Sequence, residues 1–143
     1  MKKIMVVNGV NLNMLGIREK NIYGDSTYDG LCDYIREKCS DMPVNLSFFQ
    51  SNCEGAIVDC LQKCYFEKYD GIVLNPGAYT HYSYALYDAI KSIAPVKVVE
   101  THISDINTRE EFRRVSVTAP ACVAQISGQG FDGYVQAIRL LLK

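Results

Sequence analysis

Short apolar runs alternating with helical patterns constrain this chain more than any other feature. Residues 3–8 form an apolar run that stops at Asn8-Gly9, residues 44–50 are polar/apolar mixed but rich in strand formers, and three more short runs span residues 71–75, 96–100 and 121–127. Segments this short and this apolar fit parallel strands buried on both faces. Between them, residues 28–39, 53–69, 80–93, 109–114 and 133–143 carry helical patterns. Thr108 and Glu111 stand at capping-box spacing, which predicts a helix start there. Asp41-Met42-Pro43 and Ala94-Pro95 close helices ahead of strands. The pattern predicts an α/β fold: an open five-stranded parallel sheet of flavodoxin-like order with helices on both faces. At 143 residues the chain has room for one such domain, spanning 1–143.

Charge excludes several function classes. Lys and Arg total 15 against 16 Asp and Glu, a net charge of -1, so bulk electrostatic binding of nucleic acid is not expected. No apolar stretch approaches the ~20 residues of a membrane span. The apolar start ends at Asn8-Gly9, too soon for a secretory signal. A cytoplasmic protein is the expectation. Five of the six cysteines fall at spacings of seven and four, Cys122 stands alone, and there is no C-x-x-C pair. They read as small buried hydrophobes in a reducing compartment. A zinc site from Cys60 and Cys64 would need His81 or His102, and both have other employment.

That employment is at the carboxyl ends of strands, where open sheets bind ligands. The first run leads into Asn11-Leu12-Asn13 and a loop bearing Arg18 and Tyr23. The third ends in Asn75-Pro76-Gly77-Ala78-Tyr79-Thr80-His81, and the fourth in Glu100-Thr101-His102-Ile103-Ser104. Gly128-x-Gly130-x-x-Gly133 matches a dinucleotide fingerprint but lacks the strand and acidic residue that should follow, so it reads as a tight turn. Walker, nucleophile-elbow and zinc-protease motifs are absent. Arg18 alone reads as a solvated arginine and Tyr23 alone as a loop packer. Together, near His102, they suggest a tyrosinate base held by a guanidinium, since a tyrosine of pKa about 10 is only ~0.1% ionised at neutral pH. His102 is the natural partner acid. Glu100, two residues back on the same strand face, is placed to fix its tautomer. This chemistry is proton abstraction with protonation of a leaving group, and it calls for no cofactor and no metal.

These residues carry a chain-wide resemblance to the type II 3-dehydroquinate dehydratases. Asn8-Gly9-x-Asn11-Leu12-Asn13-x-Leu15-Gly16-x-Arg18-Glu19 with Tyr23-Gly24 resembles the family's opening block. Gln50-Ser51-Asn52-x-Glu54-Gly55, the Asn75–His81 block, Glu100-x-His102-Ile103-Ser104 with Arg109-Glu110-Glu111-Phe112-Arg113, and the closing glycine block follow in order. Val10 and Lys20 stand where the family commonly has Pro, and Thr101 where it often has Val.

The resemblance implies reversible dehydration of 3-dehydroquinate to 3-dehydroshikimate, on the shikimate route to aromatic amino acids, in a homododecamer built as a tetramer of trimers. By family likeness, Tyr23 takes the C2 proton, Arg18 stabilises the tyrosinate, and His102 protonates the departing C1 hydroxyl. Asn13, or a water near it, steadies the enolate. Asn75, His81 and Arg113 hold the ring hydroxyls, and the N–H groups of Ile103 and Ser104 bind the carboxylate. Asp88 reaches an adjacent subunit's site. Two rival readings remain: a flavin or small-ligand module, disfavoured because Asn11-Leu12-Asn13 is no phosphate cradle, and a catalytically silent homologue. No lysine has the desolvated setting that Schiff-base chemistry needs.

Overall fold

The computed structural model describes residues 1–17 and 26–143. Five parallel strands, β1 (Lys2–Asn8), β2 (Val44–Gln50), β3 (Gly71–Asn75), β4 (Lys97–His102) and β5 (Ala124–Ser127), pair in the order β2-β1-β3-β4-β5. Four helices pack on them: α1 (Tyr28–Lys38), α2 (Glu54–Phe66), α3 (Tyr84–Ser92) and α4 (Asp132–Leu142). This is the flavodoxin-like order expected from the alternating pattern.

Strand periodicity divides the core into two layers. Ile4, Val6, Val73 and Val99 face α1 and α4, where they meet Leu31, Ile35, Val135 and Ile138. Their neighbours Met5, Val7, Ile72, Leu74 and Val98 face α2 and α3 and meet Ile57, Leu61, Leu86 and Ile90. Both faces of the central strands are therefore apolar, which is why those runs show no alternation. All six cysteines are free thiols; Cys32, Cys39, Cys60 and Cys64 are buried, Cys122 is half-buried and Cys53 is exposed. No helix among the described residues is long and apolar enough to cross a membrane.

Three local expectations need correction. The pattern over 80–93 is not one helix. A 3₁₀ helix covers Gly77–His81, and α3 begins only after Ser83, whose side chain accepts from the Leu86 N–H at 3.0 Å. Ser83 thus acts as the N-cap and sets the boundary. Residues 109–114 likewise form no α-helix, and Thr108 is no N-cap. Asp105 caps the 3₁₀ turn Ile106–Thr108 instead, Thr108 Oγ1 donates back to the Asp105 carbonyl, and a second 3₁₀ turn spans Glu111–Arg114. Such short segments do not repay α-helix nucleation. Finally, β5 starts at Ala124, because residues 119–121, with Pro120 at the start, form a 3₁₀ turn.

At the strand ends, the loops after β1 and β3 press backbone to backbone through two glycines. A Cβ on Gly9 would lie 2.4 Å from the Pro76 carbonyl oxygen, and one on Gly77 2.6 Å from that of Val10. Gly77 also has φ of 64°, which favours glycine. The Gly9 N–H donates to the Asn75 carbonyl at 2.7 Å and locks the pair.

One core position carries an avoidable cost. Thr101 is fully buried in β4, and its Oγ1 has no hydrogen-bond partner among the described residues. A buried hydroxyl without a partner costs roughly 1–3 kcal/mol. Thr101→Val keeps the shape and removes the oxygen, so it should stabilise the protein by about 1 kcal/mol. Urea denaturation followed by circular dichroism checks this; an unchanged or lower midpoint would show that the hydroxyl is satisfied.

Candidate active site

The strand order reverses between β1 and β3, and a cleft opens there at the strands' carboxyl ends, as it should in a sheet of this kind. Asn75, His81, His102, Ile103, Ser104 and Arg113 all line it. Each was expected from sequence, and they come from three separate segments of chain. Val10, Asn11 and Arg109 complete much of the wall.

A buried polar bridge fixes the cleft floor. The Tyr134 hydroxyl, from α4, donates to Asn8 Oδ1 at 2.5 Å and accepts from Asn75 Nδ2 at 2.8 Å. Asn75 Oδ1 accepts from the Gly77 N–H at 3.0 Å. The last residues of β1 and β3 are thereby tied to one helix, and the Asn75 amide cannot rotate without breaking two bonds.

His102 ends β4, and its Nε2 lies 2.8 Å from Glu100 Oε2. The strand's two-residue repeat puts both side chains on one face, which turns the geometric possibility read in the sequence into a contact. A carboxylate can only accept, so Nε2 carries the proton and Nδ1 remains for the cleft. Glu100 is fully buried. Burial alone would raise its pKa, but hydrogen bonds from His102, Thr118 and Gln125 and the attraction of His102 outweigh it and hold the carboxyl at about 2. Glu100 is an anion at any working pH.

His81 is held differently. Its Nδ1 donates to the Val115 carbonyl at 2.7 Å, which leaves Nε2 as an acceptor. Burial lowers its pKa, and the nearby Arg113, His102 and Arg109 lower it further, although the Val115 bond opposes them. His81 is neutral near pH 7. Arg113 pairs through Nε with Glu110, and its guanidinium lies 4.8 Å from the Phe112 ring centroid. With Arg109, it gives one wall of the cleft a positive field suited to an anionic ligand.

Among the described residues, Glu100 stands behind His102 rather than in the cleft lining, and Asn13 and Asp88 lie apart from it. Asn13 is exposed, with Oδ1 3.5 Å from Gln50 Nε2. Asp88 is exposed on α3. Arg18 and Tyr23 lie outside the described residues. Arg109 was missed as a cleft residue, although it shares the Arg-Glu-Glu-Phe-Arg segment with Arg113. Ser116, Thr118 and Gln125 around Glu100 were missed as well, since nothing local in the sequence places them beside it.

Comparisons with known proteins agree along the whole chain. The model of the class II dehydroquinase family matches residues 2–142. A 3-dehydroquinate dehydratase of Clostridium beijerinckii is 58% identical over 139 residues, covering 97% of this chain and 94% of that protein. The crystal structure of type II dehydroquinase from Butyrivibrio crossotus matches with a TM-score of 0.97 at 55% identity, covering 99% of this chain and 98% of that one. That from Propionibacterium acnes matches with a TM-score of 0.93 at 33% identity, covering 100% and 98%. With sheet order, strand-end cleft and sequence in agreement, this chain belongs to the type II dehydroquinase family.

Proposed function

We propose that the chain acts as a 3-dehydroquinate dehydratase, eliminating water from 3-dehydroquinate through an enolate, as a step toward aromatic amino acids in the cytoplasm. The observation that carries this reading is the buried Glu100–His102 pair opening on a cleft with two arginines in its wall. With Nε2 bound to the carboxylate, a proton on Nδ1 would be the acid aimed at the cleft.

Tyr23, as tyrosinate beside Arg18, takes the C2 proton, and the electron pair moves onto the C3 carbonyl oxygen. The enolate then re-forms the ketone and expels the C1 hydroxyl, which leaves as water with the His102 proton. Tyr23 ends protonated and His102 neutral; one proton passing between them through solvent resets the site. Asn75 and neutral His81 offer a donor and an acceptor to the ring hydroxyls. Arg113 fixes the pose, and the Ile103 and Ser104 N–H groups receive the carboxylate. Asn13 is assigned to the enolate oxygen through a water, in keeping with its place outside the cleft wall.

Self-association is part of the proposal. Asp88 is exposed on α3, and Tyr82 and Tyr84 beside it are 60% and 71% exposed. Aromatic area of this kind is typical of a surface that another subunit covers. A homododecamer, a tetramer of trimers, would bring Asp88 to a neighbour's cleft.

Four measurements test this reading. Tyr23→Phe removes one oxygen and should lower kcat at least ~10²-fold with little change in KM, and borohydride added with substrate should leave activity and mass unaltered. Near-normal turnover, or a reduced lysine adduct, would end the enolate mechanism. Activity should survive exhaustive dialysis against chelator; loss restored by zinc or magnesium would contradict the metal-free scheme. Light scattering at micromolar concentration should give the mass of twelve subunits, and a single-subunit mass would remove the assembly.

A further inference from the structure

Glu100 carries more hydrogen bonds than holding one imidazole requires. Besides His102, its Oε2 accepts from Ser116 Oγ at 2.7 Å and Gln125 Nε2 at 2.9 Å, and its Oε1 accepts from Thr118 Oγ1. Gln125 is the residue directly paired with Glu100 across the β4–β5 ladder. Ser116 and Thr118 come from the strap that follows the 3₁₀ turn at 111–114. Behind them Thr80 Oγ1, fully buried, lies 2.8 Å from both hydroxyls. Its carbonyl accepts from the Val117 N–H at 2.7 Å. Ser116 Oγ accepts from the Ala119 N–H at 3.0 Å, which turns its own hydrogen toward Glu100.

We propose that Ser116, Thr118 and Gln125, buttressed by Thr80, are positioning residues of the reaction: three neutral donors that hold the Glu100 carboxylate as an anion aimed at His102 Nε2. This rests on the reading of His102 as the acid. A fully buried carboxylate without such donors would take a proton rather than pay desolvation. Protonated, it would favour the neutral imidazole, and the leaving hydroxyl would lose its proton source. The donors are uncharged, so they secure the anion without competing with the imidazolium for it. A lysine or arginine in their place would pair with the carboxylate and compete with His102 for it.

Among the described residues, the immediate surroundings add no rival charge. On its own strand, Glu100 faces His102. Across the ladder toward β3 stands Leu74, and toward β5 Gln125. Beyond the 3₁₀ turn at 119–121, the Cys122 thiol is pushed up to about 12 by burial and by Glu100 itself, so it stays neutral. The strap also engages the other histidine, because His81 Nδ1 donates to Val115. The same short segment sets the donor pattern of both imidazoles.

The sign of the effect follows from the depressed carboxyl pKa. Glu100 is ionised above about 2 and its acceptor function is lost only as pH falls through that value. Removing a donor raises this pKa, so the loss should come at higher pH. Thr118→Val and Gln125→Leu should each lift it by about one unit, a tenfold change in proton affinity. Ser116→Ala, the mildest change, guards against variants that fold poorly.

The experiment is a carbon-13 titration of the Glu100 carboxyl in the full chain, identified by its absence in Glu100→Gln, alongside kcat and KM against pH. The expected result is an upward move of the carboxyl titration in the donor variants. The acid limb of kcat should move with it, KM should stay within about twofold, and Thr118→Ser should restore both. An unmoved carboxyl titration in all three variants would overturn the proposal while leaving the acid role of His102 intact. A carboxyl titration that moves while the kcat profile does not would instead remove His102 as the acid, and the catalytic role of its supports with it.

Discussion

A single buried negative charge organises the carboxyl end of this sheet. Glu100 sits in the interior of β4 with no solvent contact, and an isolated carboxylate there would be strongly unfavourable. The fold answers by converging donors from its own strand, from the neighbouring strand and from the 115–118 strap. Strand length, ladder register and strap position are all tied to that requirement. Shifting β5 by one residue would replace Gln125 with an apolar neighbour, Ala124 or Ile126, and leave the anion short of a partner. Histidine orientation in the cleft is therefore inherited from sheet register.

Much of the architecture was legible because burial on both faces leaves a plain record. The runs that became β1 and β3 matched their strands to within a residue, since apolar strands flanked by Asn, Gly and Pro have few alternatives, and the mixed edge strand β2 was legible from its strand-forming residues and the Pro43 before it. The Glu100–His102 contact was legible for a related reason, the two-residue repeat of a strand. Other features depended on competition between local donors. Asp105 took the capping role that Thr108 and Glu111 seemed spaced for, and Ser83 divided what looked like one helix. Gln125 and the strap were not legible because their meeting with Glu100 depends on ladder register and chain return. Arg109 was hidden for a simpler reason: one motif held two arginines, and only the fold shows that both line the cleft.

The cleft combines a fixed part and polar arms of different character. Its floor is backbone pressed on backbone at Gly9 and Gly77, where no side chain could be inserted without moving a loop. Its two histidines are set to opposite electronic tasks by what their inner nitrogens meet. His81 rests against a neutral carbonyl among positive neighbours and stays uncharged. His102 rests against a buried anion, which accepts from its Nε2. Two identical side chains thus present different ring nitrogens to the cleft, Nε2 of His81 and Nδ1 of His102, according to what each meets on its inner side.

The Tyr134 bridge has a bearing on how the protein is made. Asn8 and Asn75 emerge early during synthesis, yet the hydroxyl that joins them belongs to α4, more than fifty residues after β3. A growing chain can assemble β1, β2 and β3 and still lack the bond that sets the Asn75 amide. The two strand ends are thus joined through a side chain only once α4 has docked, so the last helix to be made completes the setting of residues from the first half of the chain.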